Sequence, residues 1–313
     1  MSVITNIENN PNKIIVFDLD ETLGYFKELS LFWECLKDYF RMNCDYKLMQ
    51  REFNAILDLY PEFIRPNMFQ ILEYIKYKKE TNRCHKIMIY TNNTGGPEWT
   101  HMIKNYFERK MQRSTNNHNH KQHVNVIFDQ IIQAFMIGGK HIERLRTSHD
   151  KSQSDLIRCT QLPQNTEVFF MDDKVHSEMC NDSIYYINLK PYVYDLQFSN
   201  LIARFLKSTS TTNRALHEMI AEDEYDFKSD MLGRMNEYHY KYVKKPMIEY
   251  EMDKIISKKI MHHLNIFFTK KLSDRMEHMI VVNNDNDSKF VKTAHTRYKK
   301  GRRNNKTKKK NKY

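Results

Sequence analysis

Four apolar runs, each giving way to polar or acidic residues, constrain the fold of this chain more than any other feature. Lys13 to Phe26 reads KIIVFDLDETLGYF, with Asp18 and Asp20 directly after Ile14, Ile15, Val16 and Phe17. HKIMIYTNN (85–93) carries Thr91, Asn92 and Asn93 past its apolar run, and TEVFFMDD (166–173) ends in Asp172 and Asp173. SIYYINL (183–189) is the fourth. Continuous rather than alternating apolar runs read as strands buried on both faces, the signature of a parallel sheet. Two carboxylates so close together at a strand end repel each other, and a divalent cation is a direct way to offset that repulsion.

The segments between these runs read as helices. LSLFWECLKDYF and YKLMQREFNAIL, within Leu29 to Asp58, repeat apolar residues at three and four. Pro66 is expected early in an amphipathic helix that follows FIRP, and Pro97 near the first turn of the next. STNNHNHKQH (114–123) reads as a polar loop, VIFDQIIQ as a further strand, and SQSDLIRCTQL as a short helix capped by Ser152 or Ser154. Strands alternating with helices give an α/β domain whose strand ends share one edge, where ligands of such sheets bind. Asp18, Asp20, Thr91, Asn92, Asp172 and Asp173 are all expected there.

From about Ser208 the pattern is helical. YEMDKIISKKIMHHLNIFF places Met252, Ile256, Ile260, Leu264 and Phe267 on one face, and VVNNDNDSKF is expected to end the ordered part. The net charge of +11 is a property of the tail, because residues 292–313 hold eleven Lys or Arg and no acid. The rest of the chain is therefore close to neutral and is no basic nucleic-acid platform. Five cysteines without a CxxC pair fit reduced thiols. Neither a secretory h-region nor an apolar run of about 18 residues is present, so a soluble intracellular protein is expected, cytoplasmic or nuclear given the basic tail.

FDLDETL resembles the first motif, DxDxT, of the haloacid-dehalogenase superfamily of phosphotransferases. Within it, DLDETL is similar to the phosphatases of the RNA polymerase II C-terminal domain, the NLI-interacting-factor-like branch. Arg65-Pro66 before a helix, Thr91 in IMIYTNN and the acidic VFFMDDKVH follow in the order that branch shows, over roughly residues 12–206. TNNTGGPEW and DDKVHSEM look closer still to homologues from large DNA viruses, whose setting is an infected cell or a virion. The resemblance implies a HAD-like Rossmannoid domain over 1–207, with a small helical insertion at about 25–63 flanking the site. A helical extension (208–290) and a disordered basic tail (291–313) would follow.

It also implies Mg²⁺ and an aspartyl-phosphate mechanism. A phosphate monoester repels nucleophiles, so catalysis is mainly positioning and charge neutralisation. Asp18 would attack phosphorus, while Asp20 would protonate the leaving oxygen and then activate water. Thr22 would bond to Asp20 or a nearby backbone group and hold the turn. Thr91 would donate to a phosphoryl oxygen, with Asn92 and Asn93 beside it as substrate contacts. Asp18, Asp20 through its carbonyl, and Asp172 or Asp173 would hold the metal; the family pattern favours Asp173, leaving Asp172 to orient the lysine. Lys151 matches the family's lysine before a helix, and Lys140 in GGKHIERL is the alternative. The expected substrate is phosphoserine or phosphothreonine in a protein. The alternatives are a phosphatase of nucleic-acid ends, with the 292–313 tail contacting the polyanion, and a phosphopeptide-binding scaffold without turnover. His118, His120 and His123 sit among Asn and Gln and read as loop, and Trp33 and Trp99 as core or pocket wall.

Overall fold

The computed structural model describes residues 12–113, 126–220, 224–270 and 279–282. The 114–123 stretch, with its three histidines, and the 291–313 tail lie outside the described residues. The first half runs β1 (Lys13–Phe17), α1 (Lys27–Asn43), α2 (Gln50–Leu57), α3 (Met68–Glu80), β2 (Lys86–Tyr90), α4 (Gly96–Arg113) and β3 (Gln130–Ile132). A two-stranded hairpin follows, β4 (Met136–Ile137) and β5 (Lys140–His141), then α5 (Gln153–Thr160), β6 (Glu167–Asp172) and β7 (Ile184–Leu189). The chain continues through α6 (Phe198–Leu206), α7 (Thr211–Ile220), α8 (Glu224–Glu237), α9 (Met247–Thr269) and β8 (Met279–Val282).

Six strands form one parallel sheet in the order β3-β2-β1-β6-β7-β8, so the protein is an α/β fold of the Rossmann-like, doubly wound kind. The winding changes direction between β1 and β6, where Phe17 lies beside Met171. Such a switch opens a crevice at the carboxyl ends of the two strands.

Alternate residues of each strand serve opposite faces. Ile15, Phe17, Ile87, Ile89, Phe169 and Met171 join a large aromatic core with α1 to α4 and α6 to α9. Ile14, Val16, Met88, Tyr90, Val168 and Phe170 face α5 and Met179 in a smaller one. Each of these side chains is fully buried, and burial of a large apolar side chain stabilises by about 1.5–3 kcal/mol. That is why the runs lack the alternation of a one-sided strand. Trp33 and Trp99 both pack edge-on against Phe53, with ring centroids 5.2 and 5.5 Å away. All five cysteines are free. Among the described residues, no helix is long and apolar enough to cross a membrane.

Two expectations change. The 208–290 region, read as helical, also supplies β8, which pairs parallel to β7 and places Ile280 and Val282 in the large core. Pro66 precedes α3 rather than standing in its first turn. Asn67, in the left-handed region at φ 60°, separates the two and reorients the chain before the helix begins at Met68.

Candidate active site

The sheet ladder carries on just past the strand ends and fixes what stands there. Asp18 N donates to Met171 O at 2.8 Å, and Thr91 N donates to Ile132 O at 3.0 Å. Both side chains line a cleft of about 460 Å³ together with Asp20, Asn92, Asn93, Lys151, Asp172 and Asp173. The switch between β1 and β6 thus gathers every residue expected from sequence except Thr22. The start of α1 contributes Tyr25, Phe26, Lys27 and Ser30 to one wall, and Trp99 contributes to another.

Lys151 sits at the centre. It stands just before α5, whose N-cap Ser152 accepts from Asp155 N at 3.1 Å, and its ammonium is buried. The Nζ donates to Asp18 Oδ1 at 2.5 Å and to Asp172 Oδ2 at 2.6 Å. Lys140, the alternative, lies exposed on β5 and does not line the cleft.

Asp20 is held by a different device. Asn93 Nδ2 donates to Asp20 Oδ2 at 2.6 Å, while Asn93 Oδ1 accepts from Gly95 N at 2.8 Å. The Asn93 amide is therefore engaged within the protein and orients Asp20. Asn93 N also donates to Thr91 Oγ1 at 2.9 Å, which leaves the Thr91 hydroxyl proton available to the cleft. Asn92 Oδ1 is buried without a partner among the described residues.

Thr22 departs from its expected part. Its hydroxyl is buried, and among the described residues it bonds neither Asp20 nor any backbone group. The turn is closed instead by backbone: Glu21 takes a left-handed φ of 59°, its N donates to Gly24 O at 2.7 Å, and Leu23 N donates to Leu19 O at 3.0 Å. From below, the buried Arg65 donates to Thr22 O at 2.7 Å, to Glu21 O at 2.6 Å and to Lys190 O at 3.0 Å. Gly24 is required here because a Cβ would run into the Phe63 carbonyl and the Phe26 ring.

The sequence assigns no role to two neighbours of the site. Buried Arg146 donates to Thr91 O at 3.1 Å and Gln133 O at 2.9 Å, and lies 4.8 Å from the Tyr90 ring. It clamps the Thr91 strand end. His176 Nε2 lies 3.4 Å from Asp172 Oδ2 and lines the cleft. Both stand in irregular segments, where only the tertiary fold reveals their partners.

The electrostatics are those of an acidic site short of positive charge. Burial pushes the Asp18 carboxyl well above its usual range against the attraction of Lys151, and repulsion from Asp172 and Asp20 adds to the rise. Burial likewise raises Asp20, against the hydrogen bond from Asn93. Burial acts on Asp172 too, but Lys151 and His176 overcome it and hold the group low. Asp173 is pushed up to about 7 by burial and by repulsion from Asp172 and Glu21. One lysine therefore serves several carboxylates.

A cation would meet that shortfall. One oxygen from each of Asp18, Asp172 and Asp173 lies within 4.8 Å of the others, so these carboxylates form a group that can hold a metal ion. An all-oxygen, carboxylate-rich set of this kind suits a hard divalent cation. Comparison of the chain with known protein families and with curated proteins finds no match.

Proposed function

We propose that the protein is a Mg²⁺-dependent phosphatase of the haloacid-dehalogenase type, acting on phosphoserine or phosphothreonine in protein segments through an aspartyl-phosphate on Asp18. One observation carries this reading above the rest. A buried carboxylate, hydrogen-bonded to Lys151 at 2.5 Å, stands at the switch of a parallel sheet with a second, separately held carboxylate two residues on. A metal site alone needs no such division between Asp18 and Asp20.

In the first step an Asp18 oxygen bonds to phosphorus as the bond to the leaving oxygen breaks, and Asp20 transfers its proton to that oxygen. In the second step the Asp20 carboxylate takes a proton from water, the water oxygen bonds to phosphorus, and the bond to Asp18 breaks. Inorganic phosphate leaves and Asp20 is again protonated. The Thr91 hydroxyl, which accepts from Asn93 N, donates to a phosphoryl oxygen. Lys151 balances charge on Asp18 and on the phosphoryl group, while Asp172 keeps the ammonium in place. Asp18, Asp172, Asp173 and the Asp20 carbonyl would hold Mg²⁺, whose part is to screen the approach of two anions. Arg65 and Arg146 act behind these groups, each fixing a backbone segment that bears them.

Phosphate release from an aryl phosphate and from a phosphoserine peptide, with Mg²⁺ and with EDTA, tests the reading in wild type and Asp18→Asn. Metal-dependent release lost in Asp18→Asn is expected. Folded, metal-bound protein that releases phosphate from neither substrate would overturn it.

A further inference from the structure

The active-site cleft does not end at Tyr25 and Lys27. A second cavity, of about 640 Å³, adjoins it across these two residues. It is as large by itself as a whole small-ligand site, which spans roughly 300–1,000 Å³. Its far wall is the irregular segment between α8 and α9, represented by Tyr238, His239, Lys241 and Val243.

That wall is braced from behind and unpaired in front. Asp195 accepts from Tyr240 Oη at 2.5 Å and from Val243 N at 2.7 Å, so both its oxygens are committed. The Tyr240 hydroxyl also bonds to that of Tyr25, tying the segment to the cleft wall. Lys245 donates to Val193 O at 2.6 Å, pairs with Asp253, and lies 4.5 Å from the Tyr192 ring and 5.4 Å from that of Tyr250. By contrast, Lys27 and Lys241 are exposed, and among the described residues no carboxylate pairs with either. Lys27 lies over the face of Tyr240, at 5.6 Å. Tyr238 is exposed beside them.

We infer that this second cavity is a binding site for acidic or phosphorylated residues lying to one side of the phosphoserine that enters the cleft, with Lys27 and Lys241 as its charged contacts. The inference rests on the proposed function for what occupies the cleft. Two lysines at the rim of a preformed groove match a local cluster of negative side chains. A nucleic acid fits less well, because its phosphates recur along the whole strand and call for an extended basic field. The chain outside residues 292–313 sums to about zero charge, and Glu21 and Asp173 line the cleft that the backbone would have to follow. The groove leaves the cleft past Tyr25 and Lys27, so acidic residues should help more on one side of the phosphoserine than on the other.

The test uses the full chain and three phosphoserine peptides of equal length, with acidic residues before the phosphoserine, after it, or on neither side. A 5′-phosphorylated oligonucleotide is the fourth substrate. One acidic placement is expected to exceed the neutral peptide in kcat/KM by about fivefold, a preference that Lys241→Glu abolishes, Lys241→Arg keeps, and high salt weakens. Equal values for all three peptides, or a preference indifferent to Lys241→Glu, would overturn the groove and leave the proposed function standing. A preference for the oligonucleotide that Lys241→Glu removes would also overturn it, assigning the groove to nucleic acid. If no substrate releases phosphate, the proposed function fails, and fluorescence anisotropy with the same labelled peptides decides the groove. Side-selective binding weakened by Lys241→Glu would then support it, and binding indifferent to that change would overturn it.

Discussion

Replacing Lys151 by Met should destabilise the protein in a way that depends on both Mg²⁺ and pH. Lys151 is 1% exposed and donates to two buried carboxylates, at 2.5 and 2.6 Å. Methionine roughly keeps the length of the side chain but removes its charge, so Asp18 and Asp172 face each other uncompensated. Breaking a buried ion pair from one side costs about 3–5 kcal/mol, which for a chain of this size lowers Tm by roughly 5–8 °C. Two features separate this charge effect from a simple packing defect. The variant site is more negative, so Mg²⁺ binds it more tightly and recovers more stability than in wild type. Without metal, losing Lys151 removes an attraction that lowers both Asp18 and Asp172, so both carboxyls rise in the variant and hold protons that the unfolded chain has released. Stability therefore falls as pH rises, by up to about 1.4 kcal/mol per unit for each such group. Thermal melts of both proteins in EDTA and in millimolar MgCl₂, at about pH 5.5 and about pH 8.5, measure all of this. The deficit should be largest at high pH in EDTA and shrink by about half or more with Mg²⁺. A deficit indifferent to both metal and pH would refute the charge account.

In single-turnover measurements of leaving-group release, Asp20→Asn should slow the phosphoserine peptide by about 10²–10⁴-fold and an aryl phosphate much less, because the aryl oxide leaves without a proton; the ratio of the two rates checks it. Glu28 is fully buried, its Oε2 accepts from Leu196 N at 2.7 Å, and its Oε1 has no partner among the described residues. Burial pushes its carboxyl up to about 8 from 4.5, so its contribution is fully present below 4.5 and is lost as pH rises through 8. Urea titrations should find wild type losing roughly 1–3 kcal/mol more than Glu28→Gln between about pH 5 and about pH 9. Gly24→Ala places a Cβ against the Phe63 carbonyl in the turn that carries Asp20, and should lower stability by about 2 kcal/mol or more and activity with it; melts and phosphate release report both.

The strands around the cleft were legible because β1, β2, β6 and β7 are buried on both faces, which demands unbroken apolar runs. Lys151 could be chosen over Lys140 only through a resemblance, whereas the fold separates them by burial and by two hydrogen bonds. The rest lay beyond a local reading. β8 is four residues long, too short to announce itself, and it is a strand because β7 offers it an edge. Arg65 stood out only as part of an Arg-Pro pair and Arg146 not at all, because their meaning lies in which carbonyls the fold brings to them. Thr22 looked like a bonding hydroxyl because its type suits a turn, yet Glu21 and Arg65 had already satisfied that turn through the backbone.

The placement of β8 has a consequence for how the protein is made. The outermost strand of the sheet comes from the last described residues of the chain, after α6 to α9 have been laid down. On the ribosome, β1, β6 and β7 can assemble the edge that bears the candidate site while β7 still exposes a row of unpaired amide and carbonyl groups. An open edge of this kind invites pairing with another chain. Long-range parallel pairing is slow, so that exposure persists until the C-terminal region emerges and docks. Truncation before Met279 would thus yield a protein whose chemistry is assembled but whose sheet edge remains open to aggregation.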